Sequence, residues 1–251
     1  MFHHRSDPGA LGIGVAFTSA ALDLGDRQDA EARAAAFAEL SDALGVPIAV
    51  VHQVHGTAVA EADAPPGTRG LVDLAREADA VFTTQKGLGV AVRVADCLPI
   101  LLAAEDASIV AAVHAGRAGL LAGVIGETVA RLRSMTPAPL LGWIGPHVCG
   151  ACYEVPDAMA ADAAARLDVP ATTTRWGTAG IDLGAGAVRQ LTDAGVTVTR
   201  LDPCTLESSD LHSHRRDHGA GRQIGVIWLA TPRRGLASDG RAAPGAAVAA
   251  S

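Results

Sequence analysis

Two neighbouring stretches decide the fold. The first is Leu88-Gly-Val-Ala-Val-Arg-Val-Ala95, which runs through Asp96-Cys97-Leu98-Pro99 into Ile100-Leu-Leu-Ala-Ala104. The second is Ser108-Ile-Val-Ala-Ala-Val-His114, with Ala115-Gly116 behind it. Each run is short, apolar and rich in β-branched residues, and each ends in a polar or Gly-containing turn, the pattern of a buried strand. Working outward, Ile13 to Phe17, Val46 to Val51, Asp79 to Thr84, Leu140 to Ile144, Val196 to Leu201 and Gln223 to Leu229 read as further strands. Helices are predicted over Asp26 to Leu44 (stopped by Gly45 and Pro47), Gly116 to Arg133, Val155 to Leu167 and Leu183 to Ala194. Met1 to Leu11 reads as a loose arm, and Pro65, Pro66, Gly67 and Gly70 as a surface loop. Strands and helices mix without strict alternation, which disfavours a simple doubly wound parallel sheet.

Composition narrows the function classes. Of 251 residues, 49% are apolar and 19% charged, a folded rather than a disordered balance. The net charge of -7 offers no broad basic footprint, so a nucleic-acid partner is not expected. No apolar run approaches the roughly 20 residues that span a bilayer. No secretory signal is read at the N-terminus either, which points to the cytoplasm. Four cysteines in such a chain read as thiols or ligands before disulfides. The stretch from Thr231 to Ser251, rich in Ala, Gly, Pro and Arg, is expected to be a disordered tail behind a catalytic domain over 1–230.

Three side chains stand where an apolar strand gives way to a turn: His55 in Gln53-Val-His55-Gly56, Cys97 in Asp96-Cys97-Leu98-Pro99, and His114 in His114-Ala-Gly116. Two imidazoles and a thiolate are a ligand set used by catalytic zinc. Taken singly, the same residues also describe a small packed thiol and hydrogen-bonded strand-end histidines. In a continuing strand His52 and His55 face opposite sides, so one of the two enters any site. Cys149 and Cys152 form a Cys-x-x-Cys pair that reads as two packed thiols in a turn, and Cys204 reads as a buried thiol. His212-Ser-His-Arg215-Arg216-Asp, with Gly219, Gly221 and Arg222, brings fork-like donors next to flexible backbone, a composition suited to phosphate.

Taken together these segments resemble the YfiH-type family, also described as the polyphenol oxidase or laccase-domain family. The resemblance rests on Val51-His-Gln-Val-His55-Gly, Asp79-Ala-Val-Phe-Thr, Val94-Ala-Asp-Cys97-Leu-Pro-Ile, Val113-His-Ala-Gly116, Ile144-Gly-Pro146, Cys152-Tyr-Glu-Val155, Cys204-Thr205, and Ser213-His-Arg-Arg216-Asp with Gly221-Arg222, in that order. It implies an α/β/β/α four-layer sandwich with mixed sheets, a fold shared with certain deamidating toxin domains. It implies Zn2+ on His55, Cys97 and His114, and purine nucleosides and phosphate as substrates; a monomer without a membrane partner is expected. The implied activity is that of a zinc-dependent purine nucleoside phosphorylase that also deaminates adenosine and phosphorolyses methylthioadenosine. Arg215, Arg216, Arg222 and Arg117 are the candidate phosphate contacts.

The chain departs from the family pattern in three places. His-Ala-Gly-Trp-Arg-Gly reads His114-Ala-Gly-Arg117-Ala118-Gly119, a Gly-rich loop is missing between Thr18 and Leu24, and an Asn-Arg pair is absent near Ala36-Phe37. The lost Arg leads to an expectation that adenosine is deaminated more readily than it is phosphorolysed. Competing readings are a copper-dependent polyphenol oxidase, since Cys with two His also suits copper, a metal-free Cys–His hydrolase with Cys97 as nucleophile and His114 as base, and an inactive relative.

Overall fold

The computed structural model describes residues 1–201 and 203–231. Apart from Thr231, the expected disordered tail lies outside the described residues. In chain order the elements are β1 (Phe2–Ser6), β2 (Ile13–Thr18), α1 (Ala30–Leu44), β3 (Ile48–His52), β4 (Val59–Glu61), β5 (Leu71–Glu77), β6 (Ala80–Thr83), β7 (Gly89–Val94), β8 (Leu98–Ala104) and β9 (Val110–Ala115). There follow α2 (Arg117–Ala122), α3 (Val124–Arg133), β10 (Leu140–Ile144), α4 (Asp157–Leu167), β11 (Thr172–Thr173), β12 (Ala179–Gly180), α5 (Leu183–Asp193), β13 (Val196–Arg200) and β14 (Gln223–Leu229).

Two mixed six-stranded sheets form, in the orders β1-β2-β14-β7-β3-β5 and β13-β10-β8-β9-β6-β4, and β11 pairs with β12 apart from them. Alternation along each strand sorts the core into layers. Val15, Phe17, Ala49, Val51, Val90, Val92 and Ile227 of the first sheet meet Val81, Leu101, Ala103, Val110 and Ala112 of the second. The outer face of the first sheet, including Ala16, Ile48, Val50, Ala91, Ile224 and Val226, is covered by Phe37, Leu40 and Leu44 of α1. The outer face of the second, including Leu98, Ile100, Leu102, Ala111 and Val113, is covered by Leu120, Val124, Val129, Ala163, Leu183 and Leu191 of the remaining helices. The four layers are those implied by the resemblance.

Local chemistry explains the boundaries. The Asp29 side chain accepts the Ala32 N–H at 2.8 Å and so starts α1, and Gly45 at φ 73° ends it. The helix predicted as one piece from Gly116 to Arg133 is two, because Gly123 turns left-handed at φ 98° and its N–H closes on the Gly119 and Leu120 carbonyls. Met1 to Leu11 is not simply an arm: Phe2–Ser6 pairs antiparallel with β2.

Parallel pairing of β3 with both β5 and β7 brings the C-terminal ends of these three strands to one rim of the first sheet. From that rim the chain crosses each time to the second sheet, through residues 53–58, 78–79 and 95–97, because β4, β6 and β8 all belong there. β9 runs antiparallel to β6 and β8 and so ends at the same rim.

Phe37 is fully buried between α1 and the sheet. Phe37→Ala is expected to destabilise the fold by about 3–5 kcal/mol through lost transfer energy and an unfilled cavity. Urea unfolding followed by circular dichroism measures this, and a loss below about 1 kcal/mol would mean that α1 does not seal this face.

Candidate functional site

The three crossings and the end of β9 deliver one residue each. His55 lies on the first crossing, Asp79 on the second, Cys97 on the third, and His114 is the penultimate residue of β9. Asp79 is fully buried, and its carboxylate is saturated. It accepts the backbone N–H groups of Val54 (3.2 Å), His55 (2.9 Å) and Gly56 (2.6 Å), and Nδ1 of His114 lies 2.7 Å from Oδ1. One carboxylate thus fixes the turn that carries His55 and the ring that His114 presents. With Nδ1 committed to Asp79, Nε2 of His114 is free to act as a ligand, the usual carboxylate–histidine support of a metal site.

Burial alone would raise the Asp79 carboxyl, but the bonds from His114 and from the Gly56 and His55 amides more than offset it and hold the pKa below the ordinary value. A carboxyl depressed on folding adds stability that is present above its unfolded pKa and is lost as pH falls through the lowered value.

Backbone conformation is unusual at this rim. His55 has φ 62° and Asp96 has φ 88°, both in the left-handed region that non-Gly residues rarely occupy. Asp96 is held there by Thr205 Oγ1, which donates to Oδ1 (2.6 Å), and by the Arg215 N–H, which donates to Oδ2 (2.8 Å). Its own carbonyl accepts the Val148 N–H at 3.0 Å. Gly116 must lack a side chain, because a Cβ there would stand 2.5 Å from His55 Cδ2 and 3.2 Å from Cys97 Sγ.

The result is that the ligand atoms of His55, Cys97 and His114 lie within 4.8 Å of one another, with Cys97 Sγ 3.8 Å from His55 Nε2. Such a spread closes onto one cation at roughly 2.0–2.3 Å with small side-chain rotations. His114 is buried, Cys97 is partly exposed and His55 is exposed, so the group opens to solvent on one side. Burial would raise the Cys97 thiol, but hydrogen bonds with His114 and His55 and their charge bring it down to about 6. Burial would lower His114, but its bonds to Asp79 and Cys97 raise it to about 9. The metal-free site therefore favours a thiolate beside an imidazolium. His52 ends β3 and does not join the group, so His55 is the histidine that enters.

These three residues line a cavity of about 460 Å³ together with Asp23, Arg27, Gln53, Arg93, His214 and Arg222, among others. Of the four arginines expected to meet phosphate, Arg222 lines this cavity and the other three do not. Arg215 donates to the Glu154 carbonyl and stacks on Tyr153, its carbon Cζ 4.5 Å from the ring centre. Arg216 is spent on the carbonyls of Thr205, Leu206, Ser208 and Leu211. Arg117 opens α2.

The sequence reading gave no role to Arg27, Arg93, Asp23 and Gln53: Asp23 and Arg27 come from a segment without a distinctive motif, and Gln53 and Arg93 were quoted only as parts of a motif and a strand. Arg93 pairs with Asp26, whereas Arg27 and Arg222 form no ion pair among the described residues. Buried Nδ1 of His214 and Nε of Arg93 also have no protein partner among the described residues. Phe37, at the position of the absent Asn-Arg pair, is buried in the core and offers nothing to the cavity.

A two-sheet sandwich with a His–Cys–His cluster at its rim defines the class. The chain belongs to the family described as multi-copper polyphenol oxidoreductase laccase, which matches residues 12–230. A Corynebacterium glutamicum relative named purine nucleoside phosphorylase is 41% identical over 218 residues, covering 84% of this chain and 87% of that protein. One from Streptomyces coelicolor with the same descriptive name is 45% identical over 192 residues, covering 74% and 78%. Among solved structures, the Neisseria meningitidis protein NMB0706 superposes with a TM-score of 0.77 at 27% identity, covering 92% of this chain and 99% of that one. YlmD from Geobacillus stearothermophilus gives 0.73 at 25% identity, covering 90% and 94%.

Two outcomes follow from this geometry. Asp79→Asn should weaken metal affinity by about 10–100-fold, since it removes the charge behind His114. Competition against a chelator measures the affinity, and an unchanged value would show that Asp79 does not tune the ligand. In the metal-free protein, alkylation of Cys97 by iodoacetamide should rise with pH about a midpoint near 6, against about 8.5 for an ordinary thiol. Peptide mass spectrometry reads it residue by residue, and a midpoint near the ordinary value would remove the thiolate–imidazolium pair.

Proposed function

We propose that this chain is a zinc-dependent purine nucleoside phosphorylase, with adenosine deamination and methylthioadenosine phosphorolysis as further activities of the same pocket. The observation that carries the proposal is one cavity lined both by His55, Cys97 and His114 and by two guanidinium groups, Arg27 and Arg222, that have no carboxylate partner among the described residues. A cation-binding cluster beside arginines that bond only backbone carbonyls among the described residues suits a substrate with an anionic co-substrate. The relatives' name, purine nucleoside phosphorylase, supports the same class.

The donor set fits zinc: one soft thiolate and two imidazoles, one of them oriented by a carboxylate. A cation held there would supply Lewis acidity and keep a coordination position open. The chain's own residues do the rest. Arg222 and Arg27 hold phosphate, and Gly221 lets the backbone come close to it. A phosphate oxygen attacks C1′ of the nucleoside, the bond from C1′ to the purine nitrogen breaks, and its electron pair leaves with the base. His214 lines the same cavity. Burial, His218 and Arg222 lower its pKa, which favours the neutral imidazole, and a turn of its ring would be needed to bring the unpartnered Nδ1 to the departing base. The absent Asn-Arg pair pointed to deamination as the main reaction. With Arg27 and Arg222 in the cavity, phosphorolysis is instead proposed as the main reaction. A monomer in the cytoplasm completes the reading, a compartment in which Cys97 stays reduced.

The family description raises copper oxidation as the alternative. A blue-copper centre also uses two His and one Cys, with a weak axial Met. No Met among the described residues lines this cavity.

The test is adenosine with and without inorganic phosphate, products separated by chromatography, on protein of known metal content. Adenine and ribose 1-phosphate should dominate and require phosphate. Arg222→Gln should raise the KM for phosphate by about 10–100-fold, the cost of a lost charged hydrogen bond. Phosphate-independent inosine as the main product would make the chain a deaminase first, and oxidation of a phenol with stoichiometric copper would replace the proposal altogether.

A further inference from the structure

Away from the cavity, Cys149, Cys152, Cys204 and Glu207 bring three sulfurs and a carboxylate oxygen within 4.8 Å of one another. Sequence placed the first two as packed thiols in a turn, and Cys204 comes from more than fifty residues further along the chain. All three are free thiols. The arrangement is more than close packing. The Cys149 N–H donates to Cys204 Sγ at 3.4 Å, and Arg175 donates to both Cys152 Sγ and a Glu207 oxygen. N–H donors aimed at sulfur are the outer support expected of thiolate ligands. Cys149 and Cys152 also fit the short ligand spacing of structural zinc sites.

We propose that these residues form a second, structural centre for a divalent cation of the zinc class, with Cys149, Cys152 and Cys204 as thiolate ligands and Glu207 completing a tetrahedral set. In a tetrahedral site with metal–sulfur bonds of roughly 2.3 Å, ligand sulfurs stand roughly 3.8 Å apart, within the spread seen here. Charge fits as well. Three thiolates and a carboxylate around a divalent ion leave an excess of negative charge, and Arg175 lies against two of the four ligands to offset it. A closed four-ligand set leaves no position for substrate, so the centre is structural and not catalytic.

What it holds is the wall behind Cys97. Residues 147 and 204 pair as an isolated parallel bridge, and the Thr205 N–H donates to the His147 carbonyl at 3.0 Å. Val148 and Thr205, each adjacent to a ligand, both bond to Asp96, the left-handed residue that aims Cys97. A cation joining the two segments would fix both grips on Asp96 at once.

The test uses full-length protein purified under reducing conditions without a metal-affinity tag and reconstituted with Zn2+ alone. The wild type should retain two zinc ions per chain, and Cys97→Ser and Cys149→Ser one each. Cys149 is only partly buried, so its substitution leaves the core intact, and circular dichroism checks that. In the Cys97→Ser background the three remaining cysteines should resist iodoacetamide with zinc bound and react after chelation. Co2+ in that background should give a thiolate-to-metal charge-transfer band, which Cys204→Ser in the same background abolishes. Equal zinc content in the wild type and Cys149→Ser, alkylation indifferent to zinc, or a disulfide joining two of the three cysteines would each overturn the proposal. None of these readouts depends on nucleoside chemistry.

Discussion

The candidate site depends on a single buried carboxylate. Asp79 has no exposure to water, and a bare carboxylate so placed would be costly unless every lone pair found a donor. It finds four: three consecutive amides, from Val54, His55 and Gly56, and Nδ1 of His114. That demand for satisfaction is what forces two sequence-distant histidines into one geometry. The amides can converge on Asp79 only if the chain turns sharply at His55, which accounts for its positive φ. The strain at His55 is thus repaid by charge-assisted bonds, each shorter or stronger than a neutral one.

The architecture supplies the meeting place. Three parallel strands of one sheet end at the same rim, and each hands the chain across to the other sheet there. Crossings of this kind are short, so residues on them have little freedom and sit over the edge of the inter-sheet core rather than on mobile surface loops. Gly116 and Gly119 then let α2 begin almost in contact with the first crossing; a Cβ at Gly119 would stand 2.8 Å from the Gly56 carbonyl. Sheet pairing therefore fixes the positions of the backbone, Asp79 fixes ring orientation, and Asp96 fixes the direction of Cys97.

Much of this was legible from the sequence, and the parts that were not have physical reasons. The central strands were readable because they are buried on both faces and run as almost continuous apolar stretches, as in β8 and, but for Arg93 and His114, in β7 and β9. β5 was missed because it is an edge strand with Asp73, Arg76 and Glu77 along it, which is how edges avoid further pairing. β1 was missed for a similar reason: His-His-Arg in the strand looks like a solvated arm until β2 is there to receive it. His55, Cys97 and His114 could be singled out because strand-end polar residues are conspicuous. Asp79 was quoted within a motif but given no role, since nothing local shows that a carboxylate will be buried. The arginines illustrate the limit most clearly. Arg215 and Arg216 sit in the most basic stretch yet spend their donors on backbone carbonyls, whereas Arg27 enters the cavity from a segment with no motif at all. Composition marks where cations are, but only the structure shows which of them face the cavity: Arg27 and Arg222 also bond backbone carbonyls, yet both line it.

That accounting also links the cavity to the cysteine cluster behind it. Asp96 is bonded by Thr205, Arg215 and Val148, so its strained backbone is held from the 147–153 turn and from the 204–216 segment together. Arg216 in turn gathers the carbonyls of Thr205, Leu206, Ser208 and Leu211, which makes the second segment stiff without any regular secondary structure. A basic, polar stretch that looked like a ligand-binding loop thus has a prior structural duty. It converts irregular chain into a rigid support, and it does so with a planar guanidinium fork whose five donors reach four carbonyls, more than a lysine's three N–H groups could serve singly. Arg222 is spared that duty because Asp23 secures its backbone amide while its side chain reaches no further than the Ala220 and Gly221 carbonyls. Neighbouring arginines thus divide the labour: Arg215 and Arg216 anchor the support, and Arg222 is left to line the cavity.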